Sequence, residues 1–193
     1  MNDFLARTQE GAAALRRAVT DISARPQLLA SVREEPAVGA GVLAGAIAQV
    51  EKARTLTRPS VLGVAAVTAS HAAYAWSLYR RGARNDALGW GLRAAAWGAG
   101  VAATRTQPTA AAVAVGGAAV LVTSALAGDP ALRTDAGKGM SHGANLLVAA
   151  EGLTALRATL KQRKRRARLV RAAEAGALVI GHLLLIDGFR RTR

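Results

Sequence analysis

The chain has 193 residues, with 26 Lys and Arg against 12 Asp and Glu for a formal charge of +14, and it has no cysteine. Hydrophobic residues make up 51% and aromatics 4%, and mean hydropathy is +0.19, high for so basic a chain. The length allows one domain. The lack of Cys excludes a disulfide scaffold, a thiolate metal site and a Cys nucleophile, and apolar runs with the basic residues set between them exclude a nucleic-acid binder, whose Lys and Arg would be spread along amphipathic helices.

Residues 1–35 carry five basic and five acidic side chains, with Leu5, Ala12, Leu15 and Val19 at helical spacing. That pattern predicts an amphipathic, interfacial helix, and the segment lacks the apolar core and cleavage site of a signal peptide. Apolar runs follow at Pro36–Val50, Pro59–Tyr79, Ala87–Ala103 (interrupted by Arg93), Thr106–Gly128, Gly143–Leu160 (carrying Glu151 and Arg157) and Ala172–Phe189. Thr106–Gly128 is 23 residues without a charge, and the 21 residues of Pro59–Tyr79 have only His71 and two tyrosines as ionisable groups. A helix needs about 20 predominantly apolar residues to cross a bilayer, and the recurrent Gly and Ala suit helices packed closely in lipid. The expected fold is therefore all-α, a polytopic transmembrane helix bundle of about six spans, with five to seven as the range. It occupies residues 36–189, between the interfacial segment and a basic tail at 190–193. The expected location is a bacterial plasma membrane, multi-pass. An Ala-rich soluble bundle is the alternative.

Lys161–Arg171 holds seven basic residues and no acid, which the positive-inside rule places in the cytoplasm. Six spans then put the N-terminal region outside together with Arg80, Arg81 and Arg84. Five spans, with Pro36–Val50 not crossing, keep it inside.

Ionisable groups within spans are costly and each is a functional hypothesis. Glu51, His71, Glu151 and His182 stand out, and Tyr74 shares a helix face with His71 three residues earlier. Arg93 and Arg157 are candidate counter-charges. One reading is a polar cavity between helices where carboxylates act as acid and base on a lipid; the other is internal pairing of Glu with Arg. The three histidines, His71, His142 and His182, lie on separate runs with no ligand spacing, so no metal and no cofactor are expected. Phosphate-loop and HExxH motifs are absent, and Trp76, Trp90 and Trp97 read as interfacial anchors or packing residues.

In order along the chain stand Arg25-Pro26, Val50-Glu51, His71-Ala72-Ala73-Tyr74 within VLGVAAVTASHAAYAW, Ala150-Glu151 within GANLLVAAEGLTALR, and Gly181-His182 leading an apolar run. This series resembles the lysoplasmalogenase-like (YhhN) family of integral membrane proteins. There a Lys-Pro, a Gly-Asp, a His-x-x-Tyr, a Ser-Asp and a Gln- or His-led apolar motif occur in that order. The chain departs from it with Glu at both Asp positions, Arg25 for Lys and Ala150 for Ser. The resemblance implies hydrolysis of the vinyl-ether bond of a lysolipid. Glu51 and Glu151 would share the acid and base roles, His71 would complete the proton path, and Tyr74, His182 and Arg25 would bind substrate. The implied partners are a lysolipid or ether lipid and the membrane, with no nucleic acid; a protein partner would be a second copy or a membrane subunit. The competing expectations are a relative that keeps the fold without the activity, and a non-catalytic subunit of a larger membrane complex. The enzyme reading requires Glu51, His71 and Glu151 to face one cavity within about 10 Å of one another.

Overall fold

The computed structural model describes residues 34–54, 59–84, 87–159 and 164–192. The expected N-terminal helix and Arg25 lie outside the described residues, as do the Arg157 side chain and Arg193. Among the described residues each apolar run forms one helix: α1 (Pro36–Arg54), α2 (Val61–Arg80), α3 (Ala87–Thr104), α4 (Ala110–Ala127), α5 (Lys138–Thr159) and α6 (Lys164–Arg191), with a 3₁₀ turn at Pro130–Leu132 between α4 and α5. Three segments are long and apolar enough to cross a membrane: Val61–Arg80, Ala110–Ala127 and Leu169–Arg191.

Local chemistry sets the ends. Pro59 and Ser60 stop the preceding chain, and Ser60 caps α2, its Oγ accepting from the Gly63 amide at 2.9 Å. Gly82, at φ +87°, turns the chain out of α2 in a conformation that side chains with a Cβ rarely adopt. Asp129 caps the 3₁₀ turn through Ala131 N at 2.7 Å and also accepts from Arg84 N at 2.6 Å, tying the α2–α3 connection to the end of α4.

Short connections make successive helices antiparallel. One end of the bundle gathers the end of α1, the start of α2, the α3–α4 connection, the end of α5 and the start of α6. Because Arg54, Arg105 and Arg171 belong there, we call it the basic end. The opposite, mixed end is tied by Arg81. Its guanidinium makes two bonds to Glu35 at 2.8 and 2.6 Å, reaches Thr192 Oγ1 at 3.1 Å and Phe189 O at 3.0 Å, and lies 5.0 Å over the Phe189 ring. One fork thus joins the start of α1 to the ends of α2 and α6.

α5 and α6 form the most extensive pair. Gly143 and Gly181 face each other there, and a Cβ at residue 143 would stand 2.6 Å from Gly181 O. Such close backbone approach is the packing that small residues permit in lipid. The core is mainly apolar, with some hydroxyls inside it and large apolar side chains on the outer surface. Ser70, Ser77, Thr123 and Ser124 are buried, whereas Leu43, Val61, Leu62, Leu88 and Leu92 are exposed on the outer surface.

Candidate functional site

Two spaces open between the helices, and Glu151 borders both. The larger, about 660 Å³, reaches from the basic end to the middle of the bundle between α2, α3, α4 and α5. Its walls are apolar, formed by residues such as Val64, Val67, Trp97, Val113, Val120 and Leu121. Its volume lies in the range of small-molecule sites. Trp97 closes one side: its indole N–H donates to Ala114 O at 3.1 Å, spanning α3 and α4. Gly117 makes room for that ring, since a Cβ there would stand 3.3 Å from Trp97 Cδ1.

Ionisable side chains on this cavity are Lys52, Arg93, Glu151 and Arg171. Glu151 pairs with Lys52 from the end of α1, and both side chains are about one-fifth exposed (23% and 19%). The counter-ion of Glu151 is therefore Lys52, not Arg93. Arg93 donates to Ser124 Oγ at 3.0 Å and to Gly89 O at 3.0 Å. Ser124 in turn donates to Asn145 Oδ1 at 2.8 Å, carrying the network from α3 through α4 to α5.

The smaller space, about 10 Å³, lies at mid-bundle and is bordered by Gly45, Ser70, His71, His182 and the far side of Glu151. That is about the room one water occupies. Ser70 donates to Gly41 O at 2.6 Å. His182 Nδ1 lies 2.9 Å from Leu178 O, a pure acceptor, so this nitrogen carries the proton. In the neutral ring Nε2 is then the acceptor; a Cβ on Gly45 would stand 3.2 Å from it and from Ser70 Oγ. His71 Nδ1 is 3.0 Å from Thr123 Oγ1. The same Thr123 hydroxyl lies 3.1 Å from His71 O and 3.2 Å from Ala119 O.

Tyr74 is fully buried behind these histidines, edge-on to His71 (5.8 Å) and His182 (6.0 Å), with Phe189 at 5.9 Å. It borders neither space. Gly41 admits the ring: a Cβ there would stand 2.5 Å from Tyr74 Cε1.

Of the residues expected from sequence, Glu151, His71 and His182 are thus brought together, with Tyr74 packed behind. Glu51 stands apart. It accepts from Ser60 Oγ at 2.7 Å and lies 3.5 Å from Arg54, at the start of α2, where a carboxylate complements the helix dipole. Only Ser60, not Glu51, borders the large cavity. Among the described residues no three His, Cys, Asp or Glu side chains are grouped to hold a metal.

Sequence reasoning missed Lys52, Trp97 as a cavity wall, and Arg171 as a lining residue. Lys52 reads as a solvated charge at a helix end, since its partner is 99 residues away. The one local signal is that it is the only lysine before Lys138 in a chain that otherwise uses arginine. Comparison with known protein families, characterised proteins and solved structures gives no match for the chain.

Proposed function

We propose that the protein is a multi-pass membrane hydrolase of the lysoplasmalogenase kind, which takes a single-chain ether lipid into the cavity and cleaves its vinyl-ether bond beside Glu151. The observation that carries this reading is the position of Glu151: among the described residues it is the one carboxylate lining an apolar cavity wide enough for a lipid chain, and it also borders a water-sized pocket.

Vinyl-ether hydrolysis needs a proton on the alkenyl carbon, which leaves an oxocarbenium ion. Water adds to that ion, and the hemiacetal breaks its carbon–oxygen bond to give a fatty aldehyde and a glycerophospho-alcohol. One water is consumed. Glu151 is the group placed to pass the proton and to offset the positive charge as it develops. His71 and His182 border the pocket from which water would come. Glu51 does not face the cavity, so the two-carboxylate arrangement expected from sequence is not formed. This reading stands on Glu151 alone, with Glu51 holding Ser60 at the cavity edge. Six antiparallel helices would each cross once, with the basic end cytoplasmic.

A second reading, a lipid-binding membrane protein without catalysis, is favoured by the pairing of Glu151 with Lys52, which suits a merely structural charge. Release of fatty aldehyde by purified protein separates the two, using a vinyl-ether lysolipid with its alkyl-ether and ester analogues. The hydrolase gives aldehyde from the vinyl ether alone and loses it in Glu151→Gln. Well-folded protein that binds all three lipids and turns over none is the non-catalytic protein.

A further inference from the structure

Lys52 is the one charged group that both faces the cavity and holds the carboxyl group assigned to the reaction. The groups turned toward Glu151 from the packed helices are Lys52 on α1, His71 on α2, and His182 on α6; Arg93 on α3 and Arg171 on α6 share its cavity. That cavity carries three cationic side chains and one carboxylate. A cleft with such an excess of one sign behind apolar walls draws in ligands of the opposite sign. The apolar walls select a hydrocarbon chain, and the cations select an anion at the basic end. Arg93, the deepest of the three, is engaged with Ser124 and Gly89 O. Lys52 sits nearer the basic end, and its ammonium has three donors on a flexible stem, suited to changing partner.

We infer that Lys52 is a phosphate-binding residue whose partner is exchanged on ligand entry: the phosphate of a single-chain phospholipid takes Lys52 from Glu151, and the freed carboxyl group turns to the lipid. This rests on the reading of the cavity as a lipid site, but not on turnover. The exchange makes substrate binding the event that releases the reactive carboxyl group. A neutral lipid with the same chain fills the cavity and leaves the ion pair closed. Arg171 borders the same mouth and adds positive charge without contacting Glu151.

Trp97 supplies the readout, because its ring forms a wall of the cavity. In a W76F/W90F background it is the sole tryptophan, and its fluorescence follows filling of the site in nanodiscs. Three ligands are titrated: a palmitoyl lysophospholipid, the monoacylglycerol with the same chain, and glycerol 3-phosphate. We expect the lysophospholipid to bind at least about tenfold more tightly than the monoacylglycerol, a factor within what one charge-assisted contact supplies. Lys52→Met should remove that preference, while Lys52→Arg should keep it. Lys52→Met leaves the Glu151 charge unpaired, so the Lys52→Met/Glu151→Gln pair, which removes both charges, serves as the folded control and should likewise show no preference. A preference that survives in both Met variants overturns the inference. Glycerol 3-phosphate binding as tightly as the lysophospholipid overturns the assignment to a lipid. Preference without aldehyde release would count against the hydrolase and leave the phosphate site standing.

Discussion

At the scale of single residues, two glutamates that look equivalent in sequence have different surroundings. Glu51 closes an apolar run, but its oxygens are engaged by Ser60 at the head of α2 and Arg54 at the end of α1, and it does not border the cavity. Glu151, mid-way along α5, faces the cavity with Lys52 beside it. The account therefore splits their mutants. Glu151→Gln should lower aldehyde release by at least about a hundredfold, as expected for loss of a positioned acid or base. Glu51→Gln should leave it within about tenfold and instead lower stability by about 1 kcal/mol through the weakened α2 start. Turnover assays and thermal melts of the two variants, side by side, check the split; equal loss in both would return Glu51 to the reaction. His71, Tyr74 and His182 were legible in sequence as polar residues inside apolar runs, which in lipid need a reason to be there. Lys52 was not, because long-range pairing leaves no trace in local spacing.

At the scale of elements, the six apolar runs mark the six helices among the described residues, and three segments are long and apolar enough to cross a bilayer. The helix ends were harder to read. α1 continues past Val50 through Glu51 and Lys52 to Arg54, because its last turn carries charges that are paired or placed at the basic end. α6 begins at Lys164, within the basic stretch, since arginine is a good helix former and the run of charges does not stop the backbone bonding. Which glycines matter was not legible either, as all sit in similar Ala-rich surroundings. Gly143 and Gly181 bring α5 and α6 into backbone contact, whereas Gly91 and Gly98 on α3 have open space where a Cβ would go. Gly143→Ala should therefore cost about 1–3 kcal/mol by overpacking. Gly91→Ala should be neutral, or stabilising by up to about 1 kcal/mol through helix propensity. Melting temperatures in detergent check the contrast, which comparable losses at both positions would contradict.

At the scale of the whole molecule, the alternation of six antiparallel helices assigns every connection to one of two sides. α1 is a helix of 19 residues packed along α2, and in the proposed bundle the α3–α4 and α4–α5 connections fall on opposite sides. Thr106, exposed at the basic end, and Asp135, exposed at the mixed end, should then lie on opposite faces of the membrane. The absence of cysteine makes the test clean. In intact cells an impermeant thiol reagent should label Asp135→Cys and spare Thr106→Cys until the membrane is opened. Labelling of both, or of Thr106→Cys alone, would contradict the arrangement. The central claim, that Glu151 delivers a proton to an alkenyl carbon inside this cavity, is tested most directly by mass spectrometry of the aldehyde released from a vinyl-ether lysolipid in D₂O and trapped as it forms. The account predicts aldehyde carrying one deuterium at the carbon next to the carbonyl, from the wild-type protein and not from Glu151→Gln. Deuterated aldehyde from both proteins alike, or none from well-folded wild-type protein that binds the lipid, would contradict it.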